Sequence, residues 1–133
     1  MSGRENRGDG RRIPRVEKEI REVVGTYLIT GFRGEIEGMI TITRVIASKD
    51  LRNAKVLYTF VGEGGDKKAT TKELMAHVHE FQHEVNRRLQ MKHCPRLTFI
   101  YDEGYEHAMK VENILRDLSR QRESKGESSS DDE

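Results

Sequence analysis

The chain has 133 residues and a net charge of +1, with 35% charged and 34% hydrophobic residues. A chain of this size most simply forms one domain with a modest core, which is small for an enzyme with a deep cleft. No apolar run approaches the ~18 residues of a membrane span, the N-terminus lacks the apolar core of a signal peptide, and the single cysteine cannot form an intramolecular disulfide. These features predict a cytoplasmic protein that does not enter a membrane.

The N-terminal segment is rich in Gly and Arg, and residues 1–18 carry six Arg or Lys against three acidic residues. We predict that residues 1–12 form a disordered basic arm, which is typical of a protein with a polyanionic partner. A first helix is predicted from about Pro14, since proline suits the first turn of a helix. Its apolar residues recur at helical spacing, at Val16, Ile20, Val23, Val24, Tyr27 and Leu28.

Two strands are predicted next, over residues 39–46 and 54–61. Both segments alternate between apolar and polar positions or are rich in β-branched residues, as half-buried strands are. The second strand is expected to present Val56, Tyr58 and Phe60 on its buried side.

A long helix is predicted after these strands. Thr70 and Glu73 have the spacing of a capping box, so the helix is expected to begin there and to reach about Gln90. Its apolar stripe comprises Leu74, Val78, Phe81, Val85 and Leu89.

A third strand is predicted over 97–101 and a final helix over about 108–118, before a disordered acidic tail at 119–133. The folded domain is therefore predicted over 13–118. The order α-β-β-α-β-α predicts an α+β fold with a three-stranded sheet covered on one face by helices, and the type II KH domain is one known way of building it.

The stretch from His79 to His83 reads HEFQH, which matches the H-E-x-x-H signature of zinc metalloproteases. At about 100° per residue, both histidines project away from the apolar stripe, where they could share a metal ion. A catalytic zinc needs a third protein ligand, and the extended motif would place Gly and His where this chain has Asn86 and Leu89. A zinc hydrolase with Glu80 as its base is one hypothesis; two surface histidines on a polar helix face is the simpler interpretation. We predict no catalytic residue, metal or cofactor.

Basic residues form three groups that can neutralise phosphates without reading a base sequence. Ordinary surface charge is the alternative explanation for each residue. Aromatic residues mostly occupy core positions, which favours recognition of RNA shape and phosphate over stacking on bases. The candidate RNA-binding residues are Arg11, Arg12 and Arg15, then Lys49, Arg52 and Lys55, and finally Arg87, Arg88, Lys92 and Arg96.

The run Gly62-Glu-Gly-Gly65 formally fits the G-x-x-G loop of KH domains, whose backbone amides clamp nucleotides. Here it precedes the helix and contains Glu63, which would repel phosphate. We interpret the run as a plain turn.

Several motifs follow one another along the chain, namely Arg15-Val16-Glu-Lys-Glu-Ile20, Ile40-Thr-Ile-Thr43 with Val45, Ser48-x-Asp50-Leu51-x-x-Ala54-Lys55-Val56, and Pro95-x-Leu97-x-Phe99-x-Tyr101-Asp102 with Met109. These motifs resemble those of the ribosome-binding factor A family, and the similarity extends from about Arg15 to Leu118.

This resemblance implies a type II KH-like fold without catalytic residues. It also implies a monomeric cytoplasmic partner of the immature 30S subunit that assists folding of 16S rRNA and processing of its 5′ end. A general RNA-binding KH-like module without ribosomal specificity is a further hypothesis.

The family replaces the G-x-x-G loop by a helix with an Ala-x-Gly interruption, whose Ala and Gly correspond to His77 and His79 of this chain. The position predicted for a helix interruption is therefore His77, Val78 and His79. None of these residues is a helix breaker, so we expect a continuous or gently curved helix there. Burial of Phe81 and Val85 is the force that could enforce a kink instead.

Overall fold

The computed structural model describes residues 2–62 and 64–132, and the side chains of residues 12–62 and 64–123. Within these residues the chain forms four helices and three strands. The helices are α1 (Ser2–Thr30), α2 (Lys67–Ala76), α3 (Val78–Leu89) and α4 (Glu103–Asp132); the strands are β1 (Met39–Ala47), β2 (Asn53–Val61) and β3 (Arg96–Tyr101).

The chain divides into two compact units, one that ends at Asp102 and one that begins at Glu103. The first unit contains the sheet with α1, α2 and α3, which confirms the predicted α+β class. The second unit is α4, and it contains the predicted final helix. The expected disordered segments, 1–12 and 119–133, have side chains that fall largely outside the described part, so their disorder and the domain limits of 13–118 stay predictions.

The sheet has the order β1-β2-β3, with β1 antiparallel and β3 parallel to β2. Val56 and Tyr58 of β2 are fully buried and Phe60 is partly buried against the same core, as the alternation predicted. Val56 pairs with Val45 on one side and with Phe99 on the other, so one buried row crosses all three strands. This face of the sheet is covered by the helices.

Helix α1 supplies the largest apolar stripe of the cover. Its buried side chains are Val16, Ile20, Val23 and Val24, and they belong to one core with the sheet and with α2 and α3. The predicted stripe is confirmed at these four positions, and Tyr27 and Leu28 extend it as partly buried residues.

The start of α2 differs from the capping box that the sequence predicted. The N-cap is Asp66, whose carboxylate accepts hydrogen bonds from the backbone N–H groups of Lys68 and Ala69 at 3.0 and 3.2 Å. Thr70 lies inside the helix and is buried. An aspartate one turn earlier satisfies the orphan N–H groups equally well, so the spacing of Thr70 and Glu73 was a misleading signal.

The expectation of one continuous helix is wrong, because α2 ends at Ala76 and α3 begins at Val78. His77 lies between them with φ −104° and ψ 13°, outside the helical range. Its N–H donates to the carbonyls of Glu73 and Leu74, and its own carbonyl accepts from the N–H of Glu80 at 3.0 Å.

Tertiary packing explains this break, because the two helices have different sets of packing partners. Helix α2 packs on β3, whereas α3 packs on both α1 and β3. Phe81 of α3 is fully buried, and its ring centroid lies 5.2 Å from that of Tyr27 and 4.9 Å from that of Phe99. Burial of this side chain outweighs the local preference for a continuous helix.

Replacing Phe81 by Ala should lower the free energy of unfolding by about 3–5 kcal/mol, since a fully buried aromatic side chain leaves a cavity that its neighbours fill only in part. Urea denaturation of the purified protein measures this loss. The control is His83→Ala on the exposed side of α3, which should change stability by less than about 0.5 kcal/mol. Similar losses for both variants would contradict the assigned orientation of α3.

Candidate nucleic-acid interface

The sheet topology brings two of the predicted basic groups together. Because β3 is parallel to β2, it begins beside Asn53, directly after the turn that connects β1 to β2. The N–H of Arg96 donates to the carbonyl of Arg52 at 2.8 Å. The end of α3 leads into the same corner, since only residues 90–95 separate it from β3.

The first described turns of α1 reach the same end of the unit. The N–H of Ala47, at the end of β1, donates to the Glu17 carboxylate at 2.8 Å. A groove of about 540 Å³ lies between Arg12 and Arg15 on one side and residues 89–91 on the other. The N-terminal part of α1 therefore lies against the C-terminal end of α3.

These contacts bring nine Lys and Arg residues to one end of the unit, and we call the surface that they form the basic end. All nine side chains are exposed. Within the described side chains, Arg87 is the one of the nine that forms an ion pair, with Glu84 at 2.8 Å. The side chain of Arg11, the tenth predicted residue, lies outside the described part. The basic end comprises Arg12, Arg15, Lys49, Arg52, Lys55, Arg87, Arg88, Lys92 and Arg96.

The turn between β1 and β2 is held by a local hydrogen-bond network. Ser48 Oγ donates to the Asp50 carboxylate at 2.6 Å, and the same carboxylate accepts from the N–H of Arg52 at 3.1 Å. The Ser48 hydrogen bond is the main reason why the pKa of Asp50 is lowered. Leu51 takes a left-handed conformation, φ 57°, and is buried. Anchoring Leu51 in the core leaves Lys49 and Arg52 pointing outward.

A second groove, of about 450 Å³, lies between α3 and β3. It begins at Val78 and His79, beside the helix junction, and reaches Arg96 at the basic end. Met75, Gln82, Asn86, Cys94, Leu97 and Thr98 complete its lining. The groove is therefore continuous with the basic end, and together they form the candidate interface.

Side chains from the helices occupy the outer edge of β3 in this groove. Gln82 Oε1 accepts from the N–H of Leu97 at 3.0 Å, while Gln82 Nε2 donates to the carbonyl of Pro95. Met75 Sδ accepts from the N–H of Phe99 at 3.3 Å. These backbone groups are already satisfied, so a base edge or an added strand would have to displace the side chains. Sequence reasoning missed Gln82, which carries no distinguishing signal on a polar helix.

The HEFQH stretch lies on α3 with His79 and His83 both exposed, as predicted. Across the described side chains, no group of three His, Cys, Asp or Glu residues is close enough to hold a metal ion. Glu80 contacts the ring of His77, with its Oε2 3.0 Å from His77 Nδ1. Burial raises the pKa of the Cys94 thiol, which disfavours the reactive thiolate.

The glycine-rich run lies between β2 and α2, ahead of the helix as predicted. Gly62, Gly64 and Gly65 all have positive φ, and a Cβ on Gly65 would come within 2.5 Å of the Phe60 ring. Glu63 lies outside the described residues. In the described part of the chain, every helix is too short or too polar to cross a bilayer.

The fold and this surface define a small α+β binding module with one basic end. The family model for ribosome-binding factor A matches residues 12–115. A ribosome-binding factor A from Bdellovibrio bacteriovorus is 38% identical over 132 residues, covering 96% of this chain and 98% of that protein. One from Prochlorococcus marinus is 38% identical over 120 residues, covering 89% and 84%. The chain belongs to the ribosome-binding factor A family.

Solved structures share the fold. The crystal structure of ribosome-binding factor A from Thermus thermophilus superposes with a TM-score of 0.58 at 19% identity, over 67% of this chain and 93% of that one. A homology model of the Thermus thermophilus factor, fitted into the cryo-EM map of a complex of that factor with the 30S subunit, gives a TM-score of 0.53 at 19% identity, over 65% and 90% of the two chains. The α+β architecture is thus that of known members of the family.

Replacing Gln82 by Ala should expose the N–H of Leu97 and the carbonyl of Pro95, which costs about 1–3 kcal/mol when such groups are left unsatisfied. Hydrogen exchange followed by NMR should show faster exchange at Leu97. Asn86→Ala is the matched control, because Asn86 lines the same groove and is exposed. Unchanged exchange at Leu97 in the Gln82 variant would show that the edge is protected by something else.

Proposed function

We propose that this chain is a non-enzymatic assembly factor that binds the immature 30S subunit through its basic end and the adjoining groove. The observation that carries the proposal is the gathering of nine exposed basic side chains at one end of a unit whose chain has a net charge of only +1. Family membership supports a ribosomal partner, and the Thermus thermophilus factor has been fitted into a 30S complex.

The proposed mechanism uses contacts with phosphate. Lys and Arg side chains neutralise backbone phosphates and release counterions, which gives affinity and position without base-specific reading. The factor holds a helix of the 16S rRNA in its mature pairing, assists folding and processing near the 5′ end, and leaves when the subunit is complete. No step requires bond chemistry by the protein.

Two features of the first compact unit favour recognition of RNA shape. The N–H groups of Leu97 and Phe99 are already hydrogen-bonded to side chains, so they are not available to base edges. The rings of Phe81 and Tyr58 are fully buried and pack on other aromatic rings, so they offer no stacking platform. The proposed protein is a monomeric, cytoplasmic, KH-like RNA-binding module.

Reversing the charge of Arg87, Arg88 and Lys92 to Glu should weaken binding to immature small subunits by at least about tenfold, because several phosphate contacts become repulsive. All three residues are exposed, so circular dichroism and the melting temperature should stay close to those of the parent. Co-sedimentation with immature subunits measures the binding.

The matched control reverses Arg21, Lys68 and Lys72, which are exposed and lie outside the basic end. Helix α2 begins where β2 ends, so Lys68 and Lys72 are at the opposite end of the sheet. This variant has the same net charge as the first but should still bind. Equal losses of affinity in both variants would indicate a nonspecific effect of charge. If the parent binds mature subunits or unrelated RNA as tightly as immature subunits, it is a general RNA-binding module.

Binding should also weaken with salt. The logarithm of the association constant should fall linearly with the logarithm of salt concentration, with a slope of about −0.7 to −0.9 per phosphate contacted. The basic-end variant should lose about one unit of slope for each phosphate contact removed. A binding curve that is flat in salt would contradict an electrostatic mechanism, whatever the effect of the substitutions.

A further inference from the structure

His77 joins α2 to α3 and contacts a carboxylate on each helix. Its Nε2 lies 2.8 Å from Oε1 of Glu73 in α2, and its Nδ1 lies 3.0 Å from Oε2 of Glu80 in α3. Ionised carboxylates only accept hydrogen bonds, and a neutral imidazole has a single N–H. Both contacts are therefore hydrogen bonds only when the ring carries two protons.

We propose that His77 is a positioning residue whose doubly protonated ring binds Glu73 and Glu80 at once, fixes the junction between α2 and α3, and releases one helix when it loses a proton. Deprotonation leaves a lone pair on one ring nitrogen facing a carboxylate oxygen, which is repulsive. One of the two contacts then opens while the other remains.

The surroundings of the ring restrict where it can move. The Phe32 ring, in the segment after α1, packs edge-on against it with centroids 5.1 Å apart. On that side the titratable and charged groups are Tyr27 and Arg33, and Arg33, Glu80 and Glu84 all act on Tyr27. The His77 side chain is 28% exposed, so it exchanges protons readily with solvent.

The electrostatic direction agrees with this geometry. The hydrogen bond that His77 donates to Glu80 is the largest cause of the raised pKa of His77, with the one to Glu73 acting in the same sense and burial opposing both. A raised folded-state pKa adds stability that is fully present below the unfolded value of about 6.5 and is lost as pH rises through the folded value.

The junction is coupled to the groove by chain continuity. Val78 and His79 follow His77 directly and line one end of the groove. A rearrangement of the first turn of α3, which precedes the buried Phe81, moves these residues relative to β3 and so alters the shape that the RNA meets. This consequence rests on the proposed function, whereas the behaviour of the junction does not.

The first experiment is a pH titration of the full chain by NMR, following the imidazole carbons. His77 should titrate at higher pH in the parent than in the double variant Glu73→Gln with Glu80→Gln, because both carboxylates that raise the pKa of His77 are then absent. The amides of Glu80 and Phe81, which donate to the His77 carbonyl, should exchange faster in His77→Gln. A His77 titration that is the same in the parent and in the double variant would overturn the proposal.

The second experiment compares the affinity of the parent and His77→Gln for immature small subunits between about pH 6 and about pH 9. The variant should bind on the order of fivefold more weakly at low pH, the lower end of typical coupling, and the two affinities should converge as pH rises. His83→Gln is the control and should follow the parent, because His83 is exposed on α3 and lines neither groove. A constant ratio across pH would overturn the link to binding.

The two experiments separate the possible failures. Absence of subunit binding by the parent at every pH would refute the proposed function while the NMR titration still decides the role of His77. Normal binding together with an ordinary His77 titration would refute the positioning role alone. If the double variant Glu73→Gln with Glu80→Gln lowers the pH at which His77 titrates but leaves the affinity for subunits unchanged, His77 acts only at the helix junction. Its role in the groove is then refuted.

Discussion

Burial of Phe81 is the contact on which the first compact unit depends. Its ring meets Tyr27 at the end of α1, Phe32 in the following segment and Phe99 of β3. These neighbours come from two distant parts of the chain, the end of α1 with its following segment and β3, so this one side chain fixes how α3 lies against both α1 and the sheet. Since α3 leads directly into β3, its orientation also determines where the strand begins. The basic end exists because α1, α3 and the strand starts converge there.

The fold was largely predictable in those elements whose apolar residues repeat at regular spacing and all pack on the same surface. The strands and the stripe of α1 follow this rule, because alternation or helical spacing directly reports which side is buried. The break at His77 was not predictable from local propensity, since no residue there disfavours a helix. It arises because α2 packs on β3 whereas α3 packs on both α1 and β3. The spacing of apolar residues along one helix does not show such a change of packing partners. Asp66 and Thr70 are both residue types that can cap the start of α2, and the tertiary structure decides which of them does so.

The candidate site divides in a similar way. Charge identified the basic residues, because solvated Lys and Arg are visible in sequence, but their convergence required the parallel pairing of β2 and β3. The role of Gln82 depends on individual hydrogen bonds that join α3 to the start of β3. The role of His77 depends on its contacts with Glu73 and Glu80 at the break between α2 and α3. The HEFQH match shows the opposite case, in which a motif is present while the described side chains supply no third ligand nearby.

Both edges of the sheet are obstructed, and this bears on self-association. On the β1 side, Glu17 accepts from the N–H of Ala47 at the end of the strand, and a bulge between Ile42 and Arg44 makes the pairing of β1 with β2 irregular. On the β3 side, Gln82 and Met75 occupy the N–H groups of Leu97 and Phe99. A three-stranded sheet offers two edges for each core, and exposed edges template aggregation. Occupation of these backbone groups lowers the tendency of the folded unit to add a strand from another chain to its sheet.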